Sequence, residues 1–513
     1  MPKNIVVFSD GTGQDGGVRP EQRMSNVYKL YRACRTGPES PIDPADQVAF
    51  YDAGLGTDAG ATAMTAPVRF FQKLLGSVAG RGITANIAEC YEFIINHYQP
   101  GDRIFLIGFS RGAYTVRALA DLIRLCGIPT LDNGLSLARY RRRVRNIADE
   151  AVLDVLEHGA GQPREKFEDE REELARRFRE KYACHHESGE ARRSNAAPYF
   201  IGVFDTVAAL GAKGARRRLI QLGLLTAISV AALVPSAIAG GFISSLSAFT
   251  YWPSFLACLT VSTIGGGLWL LSRQRQAVRK TISDFPNKGD KRQHLAEWKG
   301  DNFPRLLSRF VTFARSANAI DETREDFNRL PWGPGKHITL EQEFAGIKRF
   351  EQMWFAGNHS DIGGSYPEAE SRLSDIALKW MVEEATKTPD GLRVAGQRMP
   401  GVVNGIPQLH LYPAPDGVQH CEIAGMKDTL TKLPAPLRRF LNGRGWAMKV
   451  RTIDPKAPVH QSVAERFELP EVPQVDGMGP YRPAALTDHE AFKKYYLAVD
   501  LMPSAEGGSS SVV

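Results

Sequence analysis

Cysteine is scarce in this chain of 513 residues: six thiols, at positions 34, 90, 126, 184, 258 and 421, scattered without metal-ligand pairing. That pattern excludes a disulfide-stapled scaffold and a zinc ribbon, and it reads as reduced core thiols. The neighbours Cys184, His185 and His186 do not change this, because adjacent residues rarely converge on one ion. No nucleic-acid signature accompanies the modest net charge of +7, so nucleic acid is not expected as a partner. Internal repeats are absent. No leader precedes the first strand residues, Ile5-Val6-Val7-Phe8, so no signal peptide is expected. One absence is extreme: from Leu219 to Ser272 there is no charged side chain at all.

What is present is a globular balance of 43% hydrophobic and 24% charged residues, enough for two or three structural units around a large core. Strand patterns at 5–8, 48–51, 104–107 and 199–204 alternate with helical spacing at 26–33 and 84–97, which predicts a mostly parallel sheet with helices on both faces. Residues 138–193 are charge-rich and read as exposed helices inserted into the domain. Beyond residue 298 the chain is soluble in character again, with a strand at 353–356 and an amphipathic helix at 373–386. The expected organisation is a first core part at 1–210, an apolar hairpin or lid at 211–290, a second core part at 291–400, a proline- and glycine-rich extension at 401–503 that packs on the core, and a disordered tail at 504–513.

The uncharged run divides at Tyr251-Trp252-Pro253 into Leu219–Gly241 and Phe255–Leu271, each about long enough to cross ~30 Å of hydrocarbon. Lys213, Arg216, Arg217 and Arg218 precede it; Arg273, Arg275, Arg279 and Lys280 follow it. Basic clusters at both ends predict a hairpin with both ends cytoplasmic, resting on an anionic bilayer. A pair of buried core helices, or a lid that only dips into the bilayer, is the competing reading, since Pro235 and the glycines at 240–241 and 265–267 weaken the helices.

Gly108-Phe109-Ser110-Arg111-Gly112 is a G-x-S-x-G elbow between the strand Ile104–Ile107 and a helix carrying Leu119, Leu122, Ile123 and Cys126. The serine there is pushed outward at a helix N-terminus, and a Cβ at either flanking glycine would crowd the turn. A serine needs a base, and the base an orienting carboxylate. Asp205 directly follows the apolar strand ending at Phe204, and His359 follows the strand ending at Ala356; His460 is the rival base. An oxyanion needs two backbone N–H groups, one from Arg111 and one from the loop Asp10-Gly11-Thr12-Gly13, where Asp10 can fix the loop. That loop superficially matches an aspartyl-phosphate pattern, but the nucleophile's position is Phe8, which excludes that chemistry. No metal or cofactor is expected.

Ser-Asp-Gly-Thr-Gly at 9–13, Gly-Phe-Ser-Arg-Gly-Ala at 108–113, Phe-Asp-Thr-Val at 204–207 and His-Ser-Asp-Ile-Gly-Gly at 359–364 occur in that order. Tyr51 to Thr57 and Tyr481-Arg482-Pro483 add to the pattern. Together they resemble the α/β-hydrolase domain of the first class of type VI secretion lipase effectors. The resemblance implies a Ser110, Asp205 and His359 triad and phospholipase A-type activity on membrane phospholipid. It also admits delivery to another cell, self-association, and a regulatory or immunity protein as partner. The expected activity is therefore a membrane-associated serine hydrolase. A membrane-anchored esterase or thioesterase, or a pore former that uses the hydrolase fold as scaffold, stand as rivals.

Overall fold

The computed structural model describes residues 2–11, 23–38, 40–54, 81–132, 134–190, 192–207, 214–246, 249–273, 277–297, 307–327, 329–332, 343–395, 397–398, 402–403, 409–422, 448–475 and 477–497. Six strands form one all-parallel sheet: β1 (Asn4–Ser9), β2 (Gln47–Asp52), β3 (Arg103–Phe109), β4 (Pro198–Phe204), β5 (Phe313–Ala319) and β6 (Phe350–Phe355), in the spatial order β6-β5-β4-β3-β1-β2. Their side chains are apolar on both faces because helices cover both, as parallel sheets require. Residues such as Ile5, Val7, Ile104 and Leu106 belong to one core, and Val6, Phe8, Phe105 and Ile107 to the other. The chain belongs to the α/β class. It winds outward from β1 to one edge and from β3 to the other, so the crevice between the C-terminal ends of β1 and β3 is the switch point where such sheets bind ligands.

The helices follow the sequence spacing closely: α1 (Asn26–Cys34), α2 (Arg81–His97) and α3 (Arg111–Cys126) flank the first strands. The charged insert differs from the expectation of exposed helices. Its α4 (Arg142–Glu150) and α5 (Glu168–Tyr182) turn Val144, Ile147, Ala175, Phe178 and Tyr182 into the same core as the sheet. The charges lie on the other face or are paired at the seam, where Arg124 meets Glu172 at 2.7 Å and the buried Arg179 donates to the Leu125 carbonyl. Dense charge hid an ordinary amphipathic stripe.

The uncharged run forms two helices, α6 (Gly214–Leu246), continuous through Pro235, and α7 (Tyr251–Arg273). Gly240 approaches Phe255, whereas Gly266 approaches Ile228; as one position rises the other falls, so the pair is antiparallel. Val234, Ile238, Phe242, Leu246, Trp252, Val261 and Leu268 stay exposed. Among the described residues one helix, Leu222–Leu246, is long and apolar enough to cross a membrane. The 448–497 segment packs on the sheet edge: Trp354 and Val459 bridge in parallel, and the buried Tyr481 hydroxyl donates to Asp321 at 2.8 Å. The expected tail at 504–513 lies outside the described residues.

Candidate active site

Each sheet strand that leads into an expected site residue does so at its C-terminal end, so these residues lie along one rim of the sheet. Ser110 ends the β3 turn with φ 57° and ψ −120°, a strained conformation for a residue with a Cβ. Glycine is required on either side of it. A Cβ on Gly112 would stand 2.0 Å from the Ser9 carbonyl oxygen, and one on Gly108 would stand 2.6 Å from that of Gly112. The backbone N–H of Ser110 donates to Phe204 O at 3.1 Å, which ties the elbow to the end of β4. Arg111 is the first residue of α3, where a helix leaves its N–H groups without intrahelical partners. Its half-buried guanidinium has its pKa drawn down to about 10 by burial.

Asp205 follows β4 with φ 39° and is fully buried. Its carboxylate accepts His359 Nδ1–H at 2.7 Å, the Ala319 N–H at 3.0 Å, and both ends of the Arg451 guanidinium at 2.5 and 2.9 Å. Burial alone would raise its pKa, but Arg451 and His359 outweigh that and hold it well below the usual carboxylate range. His359 begins a short helix, His359–Gly363, capped by Asn358 and by Asp361 in a capping box. Asp361 also accepts His420 Nδ1–H at 2.7 Å, so its work is to fix this loop. Because Nδ1 carries the proton shared with Asp205, His359 Nε2 presents a lone pair, and that atom is buried without a hydrogen-bond partner. The His359 ring lies 4.7 Å from the ring of Phe109, the residue before Ser110.

Asp10 holds the loop after β1 by accepting hydrogen bonds. Gly11 N–H donates to Asp10 Oδ1 at 2.7 Å, so this amide is committed within the loop. Asp10 also accepts the Tyr51 hydroxyl at 2.7 Å and the Ser25 hydroxyl, and burial raises its pKa to about 6. Thr12 lies outside the described residues. His460 has its own partners: its Nδ1 caps the helix Gln461–Glu468, and its ring stacks on Phe355 at 4.7 Å. Burial lowers its pKa to about 4.

Sequence reasoning missed Arg451. No motif surrounds it, and only the tertiary fold carries it to Asp205. It also missed a second carboxylate, Glu322, which accepts the His359 N–H at 3.2 Å and grips Arg324 through 2.6 and 2.7 Å bonds. Away from this rim, His158, Glu170 and His294 have ligand atoms within 4.8 Å of one another. His158 Nε2 is hydrogen-bonded to Glu170 at 2.8 Å, while His294 Nε2 accepts the Gly159 N–H at 2.9 Å. Those bonds place the ring protons so that the cluster ties the insert to the ribbon Ala277–Ser283/Lys291–Glu297.

A family model described as the catalytic domain of Tle1-like phospholipase effectors of the type VI secretion system matches residues 3–232 and 277–384, well over half of the chain. A Saccharomyces cerevisiae protein, described only as uncharacterized, is 24% identical over 479 residues, covering 83% of this chain and 64% of that protein. The chain thus spans less than two thirds of that relative. Among solved structures, an uncharacterized Pseudomonas aeruginosa protein aligns with 80% of this chain and 49% of its own at 14% identity and a TM-score of 0.32. A structure of the Tle1 effector bound to the VgrG spike of the type 6 secretion system aligns over 73% and 53% at 16% identity and a TM-score of 0.24.

Proposed function

The chain belongs to the Tle1-like phospholipase effector catalytic-domain family, and from that premise we propose that it is a serine hydrolase cleaving acyl esters of membrane phospholipids. The reading includes an α/β-hydrolase-type core with Ser110 as nucleophile, His359 as base and Asp205 as its orienting acid. The observation that carries it is the His359 imidazole, hydrogen-bonded to Asp205 through Nδ1 and leaving a buried, unpartnered Nε2 beside the strained serine elbow.

In the first half-reaction His359 Nε2 takes the Ser110 hydroxyl proton as Oγ bonds to the acyl carbon. The Arg111 N–H, at the start of α3, supports the resulting oxyanion. The bond to the lysolipid oxygen then breaks, and the imidazolium returns its proton to that oxygen. Water next attacks the acyl-enzyme with His359 again as base, releasing fatty acid and restoring Ser110. Asp205 holds the ring in the productive tautomer and stabilises the imidazolium throughout.

The helices α6 and α7 act as a membrane-inserting lid that holds the site at the lipid surface, with the hydrolase domain on the cytoplasmic side of the bilayer it occupies. Exposed apolar side chains along the pair support this. The same exposure favours a second reading, in which the helix pair perturbs the bilayer and the core is its scaffold. Delivery by a secretion system and an immunity partner belong to the proposal through the family alone.

Release of fatty acid and lysolipid from bacterial-lipid liposomes, parent against Ser110→Ala, tests the reading. Loss of release in the alanine variant supports the esterase chemistry. Leakage that is equal in both, without release, replaces it with the membrane-perturbing reading.

A further inference from the structure

A cavity of about 310 Å³ lies directly beside the acid–base pair. Phe327 forms part of its wall and stands edge-on to the His359 ring at 5.1 Å, and Arg451 reaches from the same wall to Asp205. Its charged lining consists of Arg324, Arg329, Lys449 and Arg451 against Glu322 and Glu325. Arg324 is occupied by Glu322, and Arg451 by Asp205. Arg329 instead bonds to neutral groups, Gln352 Oε1 at 3.0 Å and Asn318 Oδ1 at 3.4 Å, and stacks on Trp354 at 4.9 Å. Among the described residues Lys449 forms no ion pair with Asp or Glu, and it is exposed at the rim. Among the described residues of the lining, even with Asp205 counted, cations outnumber carboxylates by one. Burial and the neighbouring Arg451 draw the Arg329 pKa down to about 10, outweighing the opposing pull of the Asp205 carboxylate.

We propose that this cavity is a phosphate subsite, in which Arg329 and Lys449 bind the phosphodiester of the lipid headgroup while the acyl ester lies at Ser110; this rests on the phospholipase reading. A phosphodiester carries one negative charge, which matches the surplus. The planar guanidinium of Arg329, placed over the Trp354 ring, offers a fork of donors suited to phosphate oxygens. In a glycerophospholipid the phosphate lies only a few bonds from the ester, so a subsite next to the base sorts phospholipids from neutral glycerides. The same chemistry would accept free inorganic phosphate.

Two measurements on the full chain test this. Binding of inorganic phosphate is followed by calorimetry, independently of turnover, for the parent and for Lys449→Gln and Arg329→Gln. Fatty acid release is compared between phosphatidylglycerol vesicles and vesicles doped with diacylglycerol. The proposal expects phosphate binding that weakens in both variants, with the phosphatidylglycerol-to-diacylglycerol preference falling about ten-fold. Lys449→Gln, at an exposed position, keeps the test valid if Arg329→Gln fails to fold. Phosphate binding in the parent without a lipid preference assigns the cavity to a free phosphate anion and overturns the headgroup role. No binding and an unchanged preference overturn the subsite while leaving the hydrolase reading intact. Absence of ester cleavage in the parent sinks the hydrolase reading, and the calorimetry still decides the anion site.

Discussion

Arg451 grips the carboxylate of Asp205 with both ends of its guanidinium, at 2.5 and 2.9 Å, with both side chains buried. Asp205 thereby serves two partners, because the same Oδ2 that accepts the 2.9 Å bond also accepts the His359 Nδ1–H. Arg451 lies beyond residue 384, where the family match ends. Its further bonds to the carbonyls of Ala319 and Phe327 lock it between the loops after β5. In the proposed mechanism it is a positioning residue, acting through Asp205 and on no reacting atom.

Replacing Arg451 by Met is expected to lower kcat/KM about 100-fold, because Asp205 loses the partner that orients it. It should also destabilise the fold by about 3 kcal/mol, the usual order for breaking a buried ion pair. The acid limb of the pH–rate profile should move to higher pH, since a carboxylate freed of its cation holds a proton on the Asp205–His359 pair more tightly. Loss of stability with an unmoved acid limb would reduce Arg451 to a structural brace. Arg451→Lys, which keeps the charge but not the fork, should recover the limb position better than the rate.

Ser110→Gly should abolish ester cleavage yet raise the thermal unfolding midpoint relative to Ser110→Ala. The φ of 57° with ψ −120° costs a residue with a Cβ on the order of 1–3 kcal/mol, and glycine is relieved of most of that. Calorimetry on the two inactive variants checks it; equal midpoints would mean the elbow carries little strain.

The buried carboxyl of Asp52 is pushed up to about 6 by burial, against Ser9 and Asn86, which lower it by hydrogen bonding. A raised carboxyl stabilises the fold at acid pH, fully so below its unfolded value, and the contribution disappears as pH rises through about 6. Between pH 4 and pH 7 the parent should therefore lose on the order of 3 kcal/mol that Asp52→Asn does not lose. Asp10 and Asp321 are raised to about 6 as well and remain in both proteins, and Asp52 supplies only the smallest cause of the rise at Asp10, so the difference between the two denaturation curves is the readout. Parallel curves would show Asp52 already ionised in the fold.

Phe249 and Trp252, each 68% exposed at the α6–α7 turn, are placed to enter a bilayer first. Replacing both by Ser should reduce sedimentation with anionic vesicles at least about ten-fold, from roughly 1.5–3 kcal/mol per apolar side chain, without changing the circular dichroism. Unaltered vesicle binding would remove the turn from the membrane contact.

The linear order of residues determined much by itself. Each sheet strand that contributes an expected site residue is a short apolar run, and the residue just past it must emerge at the C-terminal rim. Asp10, Ser110 and Asp205 could be placed by reading forward from Phe8, Phe109 and Phe204, and His359 by the run ending at Ala356. The glycines of the elbow and the uncharged span were equally plain, because local sterics and solvation depend only on neighbours in the chain.

Only the tertiary structure decided what those residues meet. Arg451 carries no local mark of its role, since a buried guanidinium and a surface one look alike in sequence. The Gly11 N–H is turned to Asp10 by loop geometry that spacing does not report, and the apolar stripe of the charged insert becomes visible only when it packs on the sheet. A side chain's intrinsic preference is set by itself and its neighbours in the chain. Its charge state and partners are set by which distant groups share its low-dielectric surroundings, and folding alone brings those together.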